Sequence, residues 1–575
     1  MSTLLFSLGR WSYRHPWRVL TTWLLLLVVA GVSAVTFMAG TDNSFSIPGT
    51  EAQEGIVQLD RTFPQASGTS AQVLVAAPDA EAVTDDAYRT AIDDALSAFG
   101  DLDGVLAVTD PFDENVSGLV SDDDEAAIIR LQLDGQATDI PAGTEEDLQE
   151  IADDLQTALP EAQVVLGGDL FSTEIPSLSP IEAVGVLIAL FVLIVTFRSF
   201  AVAWFPLVSA LIGVGLAIAL IFVATAFATI SSTTPMLAIM LGLAVGIDYA
   251  LFIVARHQDQ VRAGVEPEES AARATGTAGS AVVFAGVTVL IALVGLSFAN
   301  IPFLTTMGIA AAVAVAIAVL VAVTLTPALL GFAKGRVVGW RRRPSRRARR
   351  ARTRPRRGFA ERWVRAVTRH PIVTTVSVVA VLGTMAIPAA SLTLALPNAG
   401  TQPTSSEARQ TYDLTAEYFG PGENGPLILT GTIVTSTDPL GLMDDLADET
   451  ADVPGVKEIA LATPNETADT GLIQVIPETA PDDPATADLV RELRSHHDEW
   501  LEEYGVDLKV TGFTAVGIDI SDRLGAALIP FGIFVVGLSL ILLTIVFRSI
   551  WVPLKAAAGY LLSVAASFGA VAAVF

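Results

Sequence analysis

Cysteine is absent from this 575-residue chain, so disulfide bonds cannot hold any part of it together. Charged residues are scarce, at 17% of the total. The patterns G-x-x-x-x-G-K-[ST], H-E-x-x-H and G-x-S-x-G are also missing, which argues against a P-loop nucleotide hydrolase, a zinc peptidase and a serine hydrolase. These absences favour a protein that is not an enzyme and that uses no cofactor.

Apolar residues, by contrast, make up 51% of the chain, and the mean hydropathy is +0.54. An apolar helix of about twenty residues crosses roughly 30 Å of hydrocarbon. A helix also pairs its own backbone groups, which lipid cannot do. Runs of about this length predict nine membrane spans. They lie near residues 19–38, 181–197, 200–223, 235–255, 279–299, 303–332, 372–392, 526–547 and 551–575.

The net charge of −28 is unevenly distributed. Residues 41–180 contain 30 acidic and 3 basic residues, and residues 393–525 contain 25 acidic and 6 basic ones. The remainder is strongly basic, and its arginines lie in short loops that the positive-inside rule assigns to the cytoplasm. The sequence therefore predicts a cytoplasmic N-terminus and two large, acidic, exported segments.

Two short patterns occur twice along the chain. His15-Pro16 precedes the first span and His370-Pro371 precedes the seventh, while the tripeptide FRS closes the second and the eighth. Each half thus consists of one span, an exported segment and further spans, which predicts parallel repeats about an axis along the membrane normal. A second-half counterpart of the fourth span would fall beyond residue 575. The sequence therefore predicts a chain whose second repeat is incomplete, a fragment of a longer protein.

Helical and strand periodicities alternate within both exported segments. The first segment predicts an opening helix followed by the order βαββαβ, a split-βαβ or ferredoxin-like arrangement, and the second segment predicts the same order. The predicted strands lie near 71–77, 104–110, 126–134 and 162–168 in the first segment, and near 426–434, 456–462, 471–477 and 506–512 in the second. The predicted fold is a polytopic α-helical membrane protein with two exported α+β lobes.

These features divide the chain into seven segments. They are the N-terminus with span 1 (1–40), the first exported lobe (41–178), spans 2–6 (179–333), a basic cytoplasmic linker (334–370), span 7 (371–392), the second exported lobe (393–525) and spans 8–9 (526–575). The linker contains the arginine-rich run Arg341–Arg357. Topogenic charge and contact with anionic lipid explain this run better than nucleic-acid binding does.

Asp248 lies in the stretch LGLAVGIDYALFIVARHQ, which otherwise has the composition of a membrane span. An ionised carboxylate near the centre of such a helix costs about 2.5–3.5 kcal/mol on insertion scales. A carboxyl that alternates between charged and neutral forms in a helix bundle is suited to a proton relay, and Tyr249 adds a hydroxyl beside it. The alternative is a neutral carboxyl that only links two helices by a hydrogen bond.

Several small and polar residues are candidate neighbours of this pair. Gly242 and Gly246, four residues apart, permit close helix packing. On the following helix, Ser280, Thr288 and Ser297 are candidate polar partners. Elsewhere, the run HHDE at His496 predicts a solvated helix face and no metal site, because adjacent helical residues point in different directions.

Four stretches give the sequence a family resemblance. They are DNSFSIPGTEAQEGIVQLDRTFP after the first span, GLAVGIDYALFIVARHQD in the fourth, ATGTAGSAVVFAGVTVLIALVGL in the fifth and VTLTPALLG in the sixth. The chain resembles the MMPL family of the resistance–nodulation–division (RND) superfamily. The resemblance implies porter lobes and proton-driven export of lipidic or other amphiphilic molecules. It also implies that an Asp-Tyr pair, here Asp248 and Tyr249, works with a matching pair in a tenth span, which this chain lacks.

Taken together, the sequence predicts a multi-pass protein of the bacterial cytoplasmic membrane. Its predicted function is export of lipids or other hydrophobic molecules, driven by the proton-motive force. The alternatives are a sterol-sensing or translocation-type partner and a cell-envelope scaffold, neither of which moves a solute. Neither the identity of the substrate nor the oligomeric state follows from the sequence.

Overall fold

The structure, a computed structural model, describes residues 2–38, 47–63, 69–78, 81–113, 118–133, 140, 143–172, 180–334, 337, 359–392 and 398–574. The run Arg341–Arg357 lies outside these residues. In chain order, the elements of the first half are α1 (Ser2–Arg14), α2 (Pro16–Phe37), α3 (Glu51–Thr62), β1 (Ser70–Ala76), α4 (Asp86–Gly100), β2 (Val105–Thr109), β3 (Ala126–Leu133), α5 (Thr144–Ala158), β4 (Gln163–Gly167), α6 (Asp169–Ser172), α7 (Pro180–Phe197), α8 (Phe200–Ala224), α9 (Thr233–Arg262), α10 (Pro267–Val294) and α11 (Pro302–Ala333).

The second half contains a similar series of elements. They are α12 (Phe359–Arg369), α13 (Pro371–Ala386), α14 (Glu407–Tyr418), β5 (Leu427–Thr432), α15 (Pro439–Ala451), β6 (Val456–Pro464), β7 (Thr470–Pro477), α16 (Pro484–Ser495), α17 (His497–Glu503), β8 (Lys509–Thr511), α18 (Phe513–Phe547) and α19 (Trp551–Val574). Backbone contacts divide the chain into two compact units. The membrane unit consists of Met1–Gly40, Pro176–Thr393 and Ala527–Phe575, and the lobe unit of Thr41–Ile175 and Leu394–Ala526.

Eight of the described helices are long and apolar enough to cross a membrane. They are α2, α8, α9, α10 with its 3₁₀ extension to Ala299, α11, α13 with its extension to Ser391, α18 and α19. The protein is therefore a multi-pass membrane protein. The predicted second span corresponds to α7, an 18-residue helix whose described apolar part, Val184–Phe197, is shorter than the other spans. That span stays a prediction.

Proline starts one span in each half of the chain. Pro16 opens α2 and Pro371 opens α13, where the missing amide hydrogen costs nothing because the first helical N–H groups have no partner in the helix. The residues before them adopt nearly the same backbone conformation, with φ −121° and ψ 54° at His15 and φ −129° and ψ 65° at His370.

Within the membrane unit, α9 packs against α8, α10 and α11, and α2 packs against α8 and α11. The short α1 lies against α10 and α11. Close approach depends on glycine at this contact, because a Cβ at Gly331 would lie 2.4 Å from the carbonyl oxygen of Tyr13, and one at Gly9 would lie 2.6 Å from Thr275 Cβ. Two ion pairs add to the contact, Arg14 with Glu268 at 2.7 Å and Arg10 with Glu269.

The lobe unit contains two four-stranded antiparallel sheets with the orders β2-β3-β1-β4 and β6-β7-β5-β8. The central strands pair in register, with Val73 opposite Ile129 in the first sheet and Leu429 opposite Ile473 in the second. All four of these residues are fully buried. Helices α4 and α5 cover one face of the first sheet, which buries the apolar residues of β1 and β3.

Each lobe's opening helix packs on the last strand of the other lobe's sheet. Helix α3 lies against β8, and α14 lies against β4. A Cβ at Gly55 of α3 would lie 2.6 Å from Thr511 Cβ, and one at Gly167 of β4 would lie 2.7 Å from Thr411 Cβ of α14. The Thr511 hydroxyl also donates a 2.6 Å hydrogen bond to the Ala52 carbonyl oxygen. This reciprocal exchange of helices was not predicted from the sequence.

The helical segment between β7 and β8 is divided into α16 and α17. The division falls at His496, which has φ −80° and ψ −3° and serves as C-cap of one helix and N-cap of the next. Its ring stacks on that of Trp500, with 5.5 Å between the ring centroids.

Candidate proton-relay site

Helix α9 carries the candidate relay residues and approaches α8 closely through two glycines. A Cβ at Gly242 would lie 2.7 Å from Val214 Cγ2, and one at Gly246 would lie 3.1 Å from Ala210 Cβ. Both glycines are buried. They therefore fix the side of α9 that faces α8.

Asp248 lies on a different side of α9 and is exposed. It forms a stripe at four-residue spacing with Met240, Ala244 and Phe252, which are also exposed, Met240 by 58% and Phe252 by 59%. No described helix covers this stripe, and the described residues offer the carboxylate no hydrogen bond or ion pair. A carboxyl within a helix bundle was expected here, whereas α8, α10 and α11 pack on other sides of α9.

Tyr249 points the other way, toward the interior. It is half-buried and packs against an apolar cluster of α1, α9, α10 and α11 that includes Ile253 and Val319. Gly286 of α10 lies next to its ring, because a Cβ there would be in ordinary contact with Tyr249 Cε2 at 3.6 Å, whereas it would clash with Val319 Cγ2. Asp248 therefore lies on an uncovered face of α9, and Tyr249 lies on a packed face of the same helix.

The three hydroxyl residues proposed as polar neighbours are not hydrogen-bonded to Asp248 among the described residues. Ser280 donates to the Gly276 carbonyl at 2.6 Å, and Thr288 donates to the Phe284 carbonyl at 3.0 Å, both within α10. Ser297 lies beyond the end of α10, in a 3₁₀ turn, Gly295–Ala299. Backbone carbonyls are thus the acceptors of the two α10 hydroxyls.

A second polar cluster, which was not predicted from the sequence, lies at the C-terminal end of α9. His257 and Gln258 are buried there. Gln258 Nε2 donates to the carbonyls of Phe197 and Val337 at 2.9 and 2.8 Å, and Ser270 Oγ donates to the carbonyl of His257 at 3.0 Å. The available signal was the polar run RHQD after an apolar stretch, which is typical of an ordinary helix end.

Metal binding has no candidate in the part of the chain that the structure describes, where no three His, Asp or Glu side chains are grouped as ligands. His496 instead lies 3.0 Å from a carboxylate oxygen of Glu499 on the same helical segment.

Comparison with known proteins decides the family. The MMPL family model matches residues 44–374. The membrane protein YdfJ of Bacillus subtilis is 38% identical over 99% of this chain and 76% of its own length. The chain belongs to the MMPL family.

Other members of the family carry functional names. The heme uptake protein MmpL11 of Mycobacterium tuberculosis is 30% identical over 99% of the chain. The mycolic acid-containing lipids exporter MmpL11 of Mycolicibacterium smegmatis is 28% identical over 98% of it. The chain spans 60% of the length of each of these two relatives.

Proposed function

We propose that this MMPL chain takes part in proton-motive-force-driven export of lipids or other hydrophobic molecules. The observation that carries the proposal is the Asp248–Tyr249 pair within the 30-residue apolar helix α9. The names of the relatives support the substrate class, because both mycolic acid-containing lipids and heme are largely hydrophobic. The chain would lie in the bacterial cytoplasmic membrane, with its N-terminus inside and both lobes outside.

The two halves are best interpreted as parallel repeats. The equal strand orders of the two sheets and the matching backbone at His15 and His370 support this interpretation. The lobes would then act as the paired porter domains of the transporter. The arginine-rich run Arg341–Arg357 would contact anionic lipid on the cytoplasmic side.

The exposed position of Asp248 suggests how protonation could change the packing of helices. With a neutral carboxyl, the stripe from Met240 to Phe252 is an almost entirely apolar surface. With a charged carboxylate, the same stripe disfavours an apolar neighbour by about 2.5–3.5 kcal/mol, a factor of roughly 100 in population. Protonation would therefore change which surface packs against this face of α9, and the resulting movement of helices would be passed to the porter domains.

The decisive experiment compares Asp248→Asn with Asp259→Asn, a control on the same helix. Asp259 is exposed near the C-terminal end of α9 and lies 3.8 Å from Arg262. Both variants are reconstituted in proteoliposomes, and pH-gradient-driven proton flux and transport of a fluorescent lipid are recorded. Asp248→Asn should abolish both signals at normal expression, while Asp259→Asn should retain them. Normal flux through Asp248→Asn would refute the relay.

The same assay separates transport from its alternatives. A sterol-sensing partner or an envelope scaffold would produce no proton flux in the unaltered chain. Either would also be expected to co-purify with other membrane proteins. Proton flux that depends on Asp248 would exclude both alternatives.

A further inference from the structure

His257 is a buried, titratable side chain that the relay described above does not use. Its exposed fraction is 0%, and neither ring nitrogen has a hydrogen-bond partner among the described residues. It lies at the end of α9 where α1 packs on the bundle, and the Tyr13 ring of α1 is 6.4 Å away between ring centroids.

An unpartnered imidazole is costly in such a place. Even a neutral imidazole has one N–H donor and one acceptor nitrogen, so both polar atoms are buried without compensation. Leaving one buried polar group unsatisfied costs about 1–3 kcal/mol, and a phenylalanine of similar shape would avoid this cost. Orphaned polar groups in native proteins therefore call for a water molecule or a function to explain them.

The position of His257 on the helix relates it to the relay pair. Tyr249, Ile253 and His257 follow one another at four-residue spacing and thus share one side of α9. The rise from Tyr249 to His257 is about 12 Å. Ile253 is fully buried between them, and its Cδ1 would lie 3.9 Å from a Cβ at Gly279. The missing side chain at Gly279 leaves space next to this path.

On the other side of His257, Tyr13 leads toward a group of carboxylates. Burial raises the pKa of the Tyr13 phenol, and the carboxylates of Glu268 and Glu266 raise it further, so the hydroxyl stays protonated. The Glu268 carboxylate forms an ion pair with the Arg14 guanidinium. The charged groups near His257 on the elements around it are Arg10 and Arg14 on α1, Glu266, Glu268, Glu269 and Arg273 at the start of α10, and Arg256, Asp259 and Arg262 on α9 itself. Helix α11 contributes no charged residue.

We propose that His257 is a second proton-exchanging residue, which passes protons between the Asp248–Tyr249 pair and the cytoplasm. One ring nitrogen would accept a proton from water on the Tyr249 side, and the other would release its proton toward the Tyr13 hydroxyl and Glu268. The imidazole then returns to its first tautomer, which prepares His257 to accept the next proton. This role of His257 rests on the proposed proton-driven function, and it identifies the route by which protons would reach the cytoplasm.

The first test measures proton flux in proteoliposomes made from the whole chain. His257→Asn and His257→Phe should each lower the flux at least tenfold, and His257→Phe should not lower the melting temperature, since it removes two orphaned polar atoms. His497→Asn, at a half-exposed lobe position, is the control and should keep full flux. If His257 only fills space, His257→Phe will conduct protons normally, and this result would overturn the inference.

Two further variants test the proposed proton path on either side of His257, and they leave His257 itself unchanged. Tyr13→Phe removes only the hydroxyl and should reduce flux severalfold. Gly279→Ala adds a methyl group whose nearest neighbour, Thr275 Cγ2, would be 3.5 Å away, so the fold tolerates it while the space for water shrinks. Reduced flux in both variants supports the path, and full flux in both contradicts it.

A direct measurement does not depend on transport at all. Deuterium exchange at the imidazole Cε1–H position, followed by mass spectrometry, reports water access and titration of individual histidines. His257 should exchange with a sigmoidal pH dependence that Asp248→Asn alters. Absence of exchange at every pH, with normal exchange at His497, would overturn the inference. Loss of flux in Asp248→Asn but not in either His257 variant would overturn only this inference, whereas flux through Asp248→Asn would refute the proposed function itself.

Discussion

The exchange of opening helices between the two lobes makes a quantitative prediction for Gly55→Ala. The added Cβ would lie 2.6 Å from Thr511 Cβ and 2.9 Å from its Cγ2. Alanine in place of glycine favours a helix by about 0.5–1 kcal/mol. Overpacking against the partner strand costs about 1–3 kcal/mol. Displacing Thr511 also weakens its hydrogen bond to the Ala52 carbonyl, worth about 0.5–1.5 kcal/mol. The contact between α3 and β8 should therefore be destabilised by about 1–3 kcal/mol.

Hydrogen exchange of the α3 amides is the appropriate assay, because it reports local opening rather than global unfolding. The predicted loss corresponds to roughly 5- to 150-fold faster exchange in α3. Gly167→Ala, which meets Thr411 at 2.7 Å, should have the same effect on α14. Gly100→Ala is the matched control, because the nearest atom to its added Cβ is Val108 Cγ2 at 4.0 Å.

A double substitution tests the contact itself. Gly55→Ala combined with Thr511→Gly moves the side-chain volume from one partner to the other and should restore part of the protection. The coupling energy in this cycle should be about 1–3 kcal/mol. Wild-type exchange rates in α3 of Gly55→Ala would refute the packing argument.

Three further predictions concern other contacts. Arg130→Ala should destabilise the lobe unit by about 3–5 kcal/mol in chemical denaturation, because it leaves the Glu423 side chain, only 4% exposed, without its cation. Burial raises the pKa of Glu423 and the Arg130 guanidinium opposes this, so the carboxyl stabilises the fold at low pH and loses this contribution as pH rises through its folded pKa. Glu423→Gln should remove that slope at pH values above the ordinary glutamate pKa. Gly331→Ala should detach α1 and expose it to limited proteolysis, because its Cβ would meet the Tyr13 carbonyl, whereas Arg14→Ala, at a half-exposed ion pair, should leave α1 protected.

Local periodicity was sufficient to predict most regular elements. Strand β3 ends within one residue of its predicted range, because the alternation of AAIIRLQL is set by neighbours in the chain. The start of α10 at Pro267, well before the predicted span, was missed because its first turns are polar and small. Hydropathy locates the part of a helix that lies in lipid and not the helix itself.

Long-range pairing could not be predicted in the same way. The contact of Gly55 with Thr511 joins residues from opposite halves, and glycine and threonine are common enough to give no signal. Asp248 and Tyr249 were identified because a carboxylate is rare in an apolar run. His257 was missed because a histidine among polar residues is common at an exposed helix end, and the sequence does not show that this one is buried.

The docking of α1 has a consequence for how the chain is made. This helix is synthesised before the surface that holds it, because that surface is formed by α10 and α11, which come much later in the chain. In the meantime its apolar side has no protein partner, and the bilayer is the nearest apolar medium. Final seating of α1 would thus mark completion of the first bundle, and a nascent chain stopped before α11 should leave Tyr13 open to chemical labelling.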